Sequence, residues 1–339
     1  MEVKEELKEK LKEQDAMALA VIMQPIIGQL RRDKKFSAVH VYKCVLCSFL
    51  RFAAEVEMPL LTVDEIFQPG TLKEYETWLR SKGASWNTVS TYMRTLRAVY
   101  NRIVHKGIVL FNPQLFDDVY TRVQSLTKRA LNNKQMQALL ADDVSSLPKE
   151  LQCAHAYFLL TFLLRGMPFI DLMYLQKSDI KGDFITYCRH KTGKQITVRI
   201  SRYARKLFEK FCDKSPESTF LFPILAAEAE GGKIGGSYLN DEQLYACYLR
   251  ALRRFNYQLT KIAKLKLPGI KLSSYTARHT WATLVYHKGV SIGIISSALG
   301  HSSCKVTETY LKPFENQKID DINDELIAVL MKGIKGVAC

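Results

Sequence analysis

The stretch KLSSYTARHTWATLVYHKGVSIGIISSALGHSSCKVTETYL, residues 271–311, constrains the fold of this chain more than any other segment. Ser273 or Ser274 can cap a first helix, and Gly289 is suited to end it. A second helix follows and ends at Gly300. Its apolar residues recur at helical spacing and predict a buried stripe of Ile294, Ile295, Ala298 and Leu299. The segment therefore predicts short helices joined by tight turns.

Three polar side chains of this segment, Arg278, His301 and Tyr310, follow one another in a characteristic order. Arg278 belongs to ARHTWAT, His301 completes the triplet Leu-Gly-His, and Tyr310 comes nine residues later. Each feature alone is typical of a solvated helix, a helix end or a core tyrosine. Together they resemble the catalytic end of the tyrosine recombinase (phage integrase) family. The resemblance implies that Arg278 is the second active-site arginine, that His301 is the histidine of the Leu-Gly-His turn and that Tyr310 is the nucleophile.

The length and charge of the chain indicate two domains and a polyanionic partner. Its 339 residues are 47% hydrophobic, which is enough for two cores. Lysine and arginine number 49 against 34 aspartate and glutamate residues, which gives a formal net charge of +15. A nucleic acid fits this charge better than a membrane, because the sequence shows neither a dense basic cluster nor an amphipathic anchor. With no leader segment or membrane-spanning run in the sequence, we expect a cytoplasmic protein.

Neither a metal ion nor another cofactor is expected. The eight cysteines are scattered, and only Cys44 and Cys47 form a C-x-x-C pair. This pair lies in an apolar helical stretch without a second pair of metal ligands, so we interpret it as core packing. The glycines of AEGGKIGGS do not follow a strand in the order of a nucleotide phosphate loop, which argues against the use of ATP.

Helical periodicity in the first part of the chain predicts a small helical domain. Residues 1–30 are expected to form an N-terminal helical extension, and residues 31–127 contain amphipathic segments with Gly83 and Gly107 at their ends. The latter range resembles the helical core-binding domain that precedes the catalytic domain in the family. Its last helix carries basic residues that could contact phosphates, although a basic face is most often only solvated. The candidates are Arg94, Arg97 and Arg102, joined in the following linker by Lys128 and Arg129.

The catalytic domain is expected over residues 128–339, and its first candidate residue is Arg165. The surrounding stretch, residues 155–180, is nearly all apolar, and an unpaired arginine buried there would be costly. Gly166 and Pro168 suit a corner between two helices, which makes Arg165 available to a site. The family usually has its first arginine two residues after the glycine, where this chain has Pro168. The segment R-G-M-P-F-I-D resembles a Bacteroides-type branch in which that arginine lies upstream, which implies Arg165.

A β-hairpin is predicted over residues 182–201, where Ile, Thr, Val and Tyr alternate with polar residues around a turn at 190–194. Lys191 stands in this turn and resembles the hairpin lysine of the family, which implies that it is the general acid. Lys194 is a nearby competitor, and a lysine in a turn is usually only solvated.

Together these residues suit phosphodiester cleavage by a tyrosine. Two guanidiniums could hold the phosphoryl oxygens bidentately, His301 would donate to a non-bridging oxygen, and Lys191 would protonate the leaving 5′ oxygen. Tyr275 stands where the family more often has histidine. Because a phenol is a poor base near neutral pH, His279 is the alternative residue to assist deprotonation of Tyr310, and the sequence leaves both as candidates. The product would be a 3′-phosphotyrosine.

We therefore predict a mainly α-helical protein with a small antiparallel β-sheet and the two-domain architecture of a tyrosine recombinase. The predicted function is site-specific DNA recombination, with a type IB-like topoisomerase or a non-catalytic DNA-binding protein of the same fold as alternatives. The expected partner is double-stranded DNA, bound by a homo-tetramer that is a monomer when free in solution. We expect an amphipathic helix after Tyr310 to dock on a neighbouring protomer, with packing on its own domain as the alternative. Its apolar stripe consists of Ile322, Leu326, Val329 and Leu330.

Overall fold

The computed structural model describes residues 18–57, 61–124, 129–141, 144–228, 240–313, 320 and 322–329. The chain divides into two compact units, one through residue 126 and one from residue 127. The described residues are mainly helical, and the sheet that they contain has three antiparallel strands in the second unit. The predicted fold class, mainly α with a small antiparallel β-sheet, is confirmed.

The described part of the first unit is entirely helical apart from its connections. Its helices are α1 (Ala18–Arg32), α2 (Phe36–Glu55), α3 (Val63–Ile66), α4 (Pro69–Ser81) and α5 (Trp86–His105). The start of α5 is capped by Ser85, whose Oγ accepts from the backbone N–H of Thr88 at 3.2 Å. α4 ends two residues before Gly83, and α5 ends two residues before Gly107. Both glycines were predicted to lie at helix ends.

The core of the first unit is built from the apolar sides of these helices. Phe49, Phe52 and Tyr75 pack against each other, with ring centroids 4.9 to 5.5 Å apart. The residues of α1 join the same core, so the part of the predicted N-terminal extension from residue 18 onwards belongs to this unit. On α5 the buried stripe follows helical periodicity and consists of Val89, Met93, Leu96, Val99 and Ile103.

By length and composition alone, α2 could cross a membrane. It packs against α1 and α5, however, as the core helix of a globular unit does. The prediction that its two cysteines pack in the core is wrong, since Cys44 is half-buried and Cys47 is exposed, both as free thiols. The reason is helical phase: the buried stripe of α2 runs through Val45, Phe49 and Phe52, and the cysteines fall beside it.

The second unit packs around a mostly buried helix, Lys149–Leu163. Its helices are α6 (Asn133–Ala141), α7 (Lys149–Leu163), α8 (Phe169–Tyr174), α9 (Arg202–Phe211), α10 (Asp241–Lys266), α11 (Thr276–His287), α12 (Ile292–Leu299) and α13 (Cys304–Glu308), and residues 322–329 are also helical. Asn132 caps α6, because its Oδ1 accepts from the backbone N–H of Gln135 at 2.8 Å. The central helix is α7, which contacts α9, α10 and α11.

The sheet is a three-stranded meander of β1 (Ile180–Lys181), β2 (Phe184–Cys188) and β3 (Gln195–Arg199). Phe184 pairs with Arg199 and Cys188 with Gln195, so β2 and β3 form a regular antiparallel hairpin. Their turn is closed by the N–H of Arg189, which donates to the carbonyl oxygen of Lys194 at 2.9 Å. The predicted hairpin and its turn are confirmed.

Two local predictions near the C-terminal end are wrong. α11 begins after Tyr275 rather than after Ser273 or Ser274, and its N-cap residue makes no side-chain capping bond. The N–H of Ser273 donates to Oγ1 of Thr276, the first residue of the helix, at 3.0 Å. On α12, Ile294 is 63% exposed. The buried face of this short helix passes instead through residues 295, 296 and 299.

Candidate active site

The site is built on α11, which carries Arg278 into the interior of the second unit. Arg278 is 2% exposed. Its Nη1 donates to the carbonyl oxygen of Gly166 at 2.6 Å, and its Nη2 donates to that of Leu299 at 2.7 Å. Gly166 has a φ of +69°, and a Cβ at this position would lie 3.2 Å from Cα of Arg278, so glycine allows the close approach. The guanidinium is therefore fixed between the corner after α7 and the end of α12.

His301 follows α12 at a sharp turn that needs its glycine. Gly300 has a φ of +65°, and an added Cβ would lie 2.6 Å from Cδ1 of Ile196 and 3.1 Å from Cδ of Arg189. His301 is 6% exposed, and its Nε2 lies 2.8 Å from Nη2 of Arg278. The turn thus directs the imidazole onto the arginine of α11.

The hydrogen bonds of His301 define its protonation state. A guanidinium can only donate, so Nε2 of His301 accepts from Arg278. The proton is then on Nδ1, which donates to Oγ1 of Thr307 at 2.9 Å. Burial lowers the pKa of His301 to about 3. The positive charges of Arg278, Arg189 and Lys191 act in the same direction. The imidazole is therefore neutral near neutral pH.

Tyr310 lies two residues after the end of α13 and is half-buried. Its ring centroid is 4.6 Å from that of His279 and 4.9 Å from that of His301. Cζ of Arg278 lies 5.5 Å from the same centroid. The structure therefore brings Arg278, His301 and Tyr310 together, with the tyrosine between two histidine rings.

The backbone around Tyr310 is held by one face of α11. Nδ1 of His279 donates to the carbonyl oxygen of Tyr310 at 3.1 Å, and Oγ1 of Thr283 accepts from the N–H of Lys312 at 3.2 Å. One turn further, Nε2 of His287 lies 3.1 Å from the carbonyl oxygen of Lys312. Because the three side chains are spaced four residues apart, they form one stripe along the helix. Side chains of α11 thus hold the backbone at Tyr310 and at Lys312.

The turn between β2 and β3 lies against the Leu-Gly-His turn. Nη1 of Arg189 donates to the carbonyl oxygen of Gly300 at 2.5 Å, and Oγ1 of Thr192 donates to the same oxygen at 3.3 Å. Lys191 is exposed and lies between these two anchored residues. Its competitor Lys194 is exposed at the other end of the turn. The segment that carries Lys191 is therefore attached to the histidine turn.

Arg189 is a further candidate, absent from the residues predicted from the sequence. It is 5% exposed, and its Nε is buried without a hydrogen-bond partner. It continues the inward alternation of β2 after Ile185 and Tyr187, so strand periodicity extended by one step could have placed it inside. The nearby Asp171 accepts from the N–H of His190 at 2.9 Å. Burial raises the pKa of Asp171, although the charge of Arg189 opposes this shift.

Two predicted residues lie at the edge of the site. Arg165 follows α7 with a φ of +59°, a left-handed conformation that is uncommon outside glycine. Its side chain is exposed, and Nη1 donates to the carbonyl oxygen of Thr197 on β3 at 3.4 Å. Tyr275, directly before α11, is 51% exposed. The structure thus directs the guanidinium of Arg165 to the sheet.

The predicted DNA-binding residues of the first unit differ in their surroundings. Arg94 and Arg102 are exposed. Arg97 is half-buried, donates to the carbonyl oxygen of Phe116 at 3.3 Å and places its Cζ 4.9 Å from the centroid of the Phe116 ring. It therefore also holds the segment after α5. The linker candidates are Arg129, which is exposed, and Lys128, which lies outside the described residues.

The chemistry that this arrangement permits is phosphoryl transfer. Within the described ranges, no group of three or more His, Cys, Asp or Glu side chains could hold a metal ion. Instead, Arg278 and two histidines lie against the half-buried phenol of Tyr310, and the turn that carries Lys191 is attached to Gly300 beside His301. Such groups bind the oxygens of a phosphoryl group and place an oxygen nucleophile beside its phosphorus.

Sequence comparison assigns both units to known families. The profile of the Phage integrase family matches residues 129–317, which is more than half of the chain. The profile of the Phage integrase SAM-like domain matches residues 19–119.

The related tyrosine recombinases are distant in sequence. A tyrosine recombinase of Pseudothermotoga lettingae is 25% identical over 285 residues, which cover 81% of this chain and 87% of that protein. A tyrosine recombinase of Thermosipho africanus is 24% identical over 243 residues, or 69% and 75% of the two chains. The tyrosine recombinase XerD of Listeria monocytogenes is 22% identical over 255 residues, or 73% and 80%.

Solved structures share the fold. The Tn1549 transposon integrase in complex with a circular intermediate DNA matches with a TM-score of 0.59 at 14% identity, covering 91% of this chain and 99% of that one. The site-specific recombinase XerH bound to its difH substrate matches with a TM-score of 0.57 at 14% identity, covering 95% and 94%. At this identity the likeness concerns the fold alone.

Proposed function

The chain belongs to the phage integrase family and is a site-specific recombinase of the tyrosine type, and we propose that Tyr310 is the nucleophile with which it cleaves DNA. The observation that carries this proposal is the position of the Tyr310 ring, 4.9 Å from that of His301 and 5.5 Å from Cζ of Arg278. In the proposed step the phenolic oxygen bonds to the scissile phosphorus, and the bond from phosphorus to the 5′ oxygen breaks. A 5′-hydroxyl of another strand then displaces Tyr310 in the reverse reaction.

Arg278 and His301 stabilise the charge on the non-bridging oxygens in this proposal. The guanidinium of Arg278 is already held by two carbonyl groups, so it needs little reorganisation when the phosphate binds. His301 must donate through Nε2, the atom that accepts from Arg278 in this structure. A bound phosphate is negative and raises the pKa of the imidazole, which opposes the effect of burial. Substrate binding therefore favours the donor form.

Lys191 is the proposed general acid. Its ammonium gives a proton to the departing 5′ oxygen, which leaves as a hydroxyl group. Support for this role comes from the contacts of Arg189 and Thr192 with Gly300, which attach the lysine-bearing turn to the site. For deprotonation of Tyr310, the ring contact at 4.6 Å favours His279 over the exposed Tyr275.

Double-stranded DNA is the proposed partner. The formal net charge of +15 suits a polyanion, and the XerH and Tn1549 integrase structures contain DNA. Exposed arginines on the first unit and linker are the proposed phosphate contacts, namely Arg94, Arg102 and Arg129.

We further propose that the chain is a monomer in free solution and a homo-tetramer on two synapsed sites. Exchange of two duplexes requires four strand cleavages, one for each Tyr310. The tail helix, residues 322–329, exposes apolar side chains that a neighbouring protomer could bury. They are Ile322 at 50%, Leu326 at 57% and Val329 at 67% exposure. The predicted fourth member of the stripe, Leu330, lies outside the described residues.

The test is to trap the covalent intermediate. The DNA flanking the gene is searched for inverted repeats, and fragments that contain them are incubated with the full chain and denatured in detergent. The wild type should yield a protein–DNA adduct whose DNA 3′ end marks the cleavage site. Tyr310→Phe should bind the same fragment with unchanged affinity and yield no adduct, because only the phenolic oxygen is removed. An adduct in the Phe variant would assign the nucleophile to another residue.

A further inference from the structure

Arg189 and Arg278 bond to successive carbonyl groups of the turn that ends in His301. Nη1 of Arg189 donates to Gly300 at 2.5 Å, and Nη2 of Arg278 donates to Leu299 at 2.7 Å. The two side chains are 5% and 2% exposed. Each also keeps a buried Nε without a hydrogen-bond partner. Both guanidiniums are therefore buried beside the same turn, and each has an Nε–H group without a hydrogen-bond acceptor.

Their charges are poorly compensated in this environment. Among the described residues, the hydrogen-bond partners of the two side chains are carbonyl groups, His301 and Tyr310 rather than a carboxylate. Burial lowers the pKa of Arg278, and the charge of Arg189 lowers it further. The nearby carboxyl of Asp171 is a weak counter-ion, since burial raises its pKa. Two buried cations with unsatisfied donors are costly to fold, and a bound anion would relieve both costs.

We propose that Arg189 is a catalytic residue that binds the scissile phosphate opposite Arg278, as the second guanidinium of the site. This inference rests on the recombinase function proposed above. One guanidinium for each non-bridging oxygen neutralises the charge that grows in the transition state. The bond changes are unaltered: the Tyr310 oxygen bonds to phosphorus, the 5′ oxygen leaves with a proton from Lys191, and Arg189 keeps its own proton throughout.

Arg165, which the sequence implies for this role, is less suited to it. Its side chain is exposed, and its guanidinium bonds to the carbonyl oxygen of Thr197 on β3. Arg165 would have to leave this bond to reach a phosphate. Arg189 would not have to move in this way, because it already contacts the turn before His301 and lies close enough to Arg278 for their charges to interact. Its position in the hairpin, two residues before Lys191, also lets one turn deliver both a phosphate ligand and the proposed general acid.

The first experiment needs no DNA site. Inorganic phosphate is titrated against the full chain while the thermal unfolding midpoint is followed, since a ligand of the folded state raises that midpoint. Arg189→Gln should weaken the apparent phosphate affinity by about tenfold or more, because a charge-assisted contact is lost. Arg199→Gln, which removes one exposed positive charge from the same hairpin, is the matched control and should titrate like the wild type. An unchanged titration in Arg189→Gln, or equal losses in both variants, would overturn the proposal.

The second experiment uses a synthetic duplex of the cleavage site mapped with the wild type. Arg189→Gln should cleave the normal phosphodiester about 10² to 10³ times more slowly, the usual cost of removing one donor to a transition-state oxyanion. The scissile phosphate is then replaced by a methylphosphonate, in which a neutral methyl group stands for one charged oxygen. One diastereomer should restore cleavage by Arg189→Gln, because the charge that Arg189 neutralises is gone. A residue that only positions the turn would show no such recovery.

The two experiments also distinguish a catalytic Arg189 from a catalytic Arg165 and from a purely structural Arg189. Recovery of Arg165→Gln by a methylphosphonate, without recovery of Arg189→Gln, would return the role to Arg165. If the wild type forms no adduct, the recombinase proposal fails, and the phosphate titration still tests Arg189. Arg189→Met, which also removes the positive charge, replaces the Gln variant in both experiments if that variant does not fold. Failure of both to fold would identify Arg189 as a structural residue and refute the proposal.

Discussion

Arg278 donates a hydrogen bond to His301 across 2.8 Å, and this contact fixes the imidazole as an acceptor at Nε2. The other ring nitrogen donates to Thr307, so both sides of the ring are defined. A histidine held in this way resists protonation, because a proton on Nε2 would face a guanidinium. A phosphate oxygen inserted between the two residues would reverse that preference and turn both into donors toward the same anion.

The pH dependence of stability tests this state of His301. Its pKa in the folded chain is lowered from 6.5 to about 3, so between these values the unfolded chain binds the extra proton. The free energy of unfolding should therefore fall as the pH decreases from 6.5 toward 3, by up to about 1.4 kcal/mol per pH unit from this group. Above pH 6.5 the group contributes no slope. Denaturant unfolding of wild type and His301→Gln at matched pH values should show this difference, and parallel curves would contradict it.

The glycine of the Leu-Gly-His turn should be intolerant of a methyl group. Gly300→Ala forces a φ of +65° on alanine and places Cβ 2.6 Å from Ile196. We expect a loss of about 1 to 3 kcal/mol in the free energy of unfolding, together with reduced cleavage, since Ile196 and Arg189 must move. Gly293→Ala is the control: it lies in α12, has no heavy atom within 4 Å of the added Cβ, and should be neutral or stabilising. Equal effects of the two changes would contradict this account of the turn.

Features that depend on nearby sequence could be predicted. Arg278, His301 and Tyr310 lie within one stretch of the chain, and Gly300 sets the turn before His301. The order of these residues in one motif was therefore enough to predict that they share a site. The hairpin over β2 and β3 followed from alternation and turn residues. The buried side of α5 followed from its helical period.

Features that depend on contacts between distant segments could not be predicted. Ile294 is apolar and lies next to Ile295 in the sequence, yet the elements that pack on α12 cover the side that carries Ile295 and Leu299 and leave Ile294 exposed. Arg189 looks like an exposed turn residue until β2 and the Gly300 turn, more than a hundred residues later, are seen to meet. The exposure of Arg165 likewise follows from its left-handed backbone and its bond to β3.

Lys191 and Lys194 can be separated by changing the leaving group. Lys191→Ala should cleave a normal duplex at least about 10²-fold more slowly than the wild type, the usual contribution of a general acid. A substrate whose bridging 5′ oxygen is replaced by sulfur should restore the rate, since a thiolate leaves without being protonated. Lys194→Ala should behave like the wild type on both substrates. If the sulfur substrate rescues Lys194→Ala instead, the two lysines have been assigned the wrong way round.

Of the three arginines on α5, two should contribute to DNA binding and one to the stability of the fold. Arg94→Gln and Arg102→Gln remove exposed charges, and each should lower the slope of log affinity against log salt by about 0.9 for a lost phosphate contact. Arg97→Gln should instead cost about 1 kcal/mol of stability, because it loses the bond to Phe116 and the ring contact. Fluorescence anisotropy at several salt concentrations and thermal unfolding measure the two effects. Unchanged salt slopes for Arg94→Gln and Arg102→Gln would remove α5 from the proposed DNA contacts.

The tail helix exposes its apolar side chains to solvent. All eight described residues from 322 to 329 are exposed, including the apolar Ile322, Leu326, Ile327 and Val329. An apolar stripe left in water gains about 25 cal/mol for each Å² that another surface covers. Because the proposed homo-tetramer would have to couple cleavage by its subunits, a neighbouring protomer is the proposed source of that surface.

Deletion of residues 321–339 tests this role. Because the described tail residues are exposed, the truncated chain should keep the thermal unfolding midpoint of the wild type and should still cleave a nicked single-site duplex. Synaptic complexes and strand exchange should be lost, which native gel electrophoresis and a two-site recombination assay measure. Leu326→Ser should reproduce the loss in part, whereas Glu325→Gln, a change on the same helix outside the apolar stripe, should not. Wild-type synapsis by the truncated chain would exclude the tail as the link between subunits, and a large drop in its unfolding midpoint would show instead that the tail packs on its own domain.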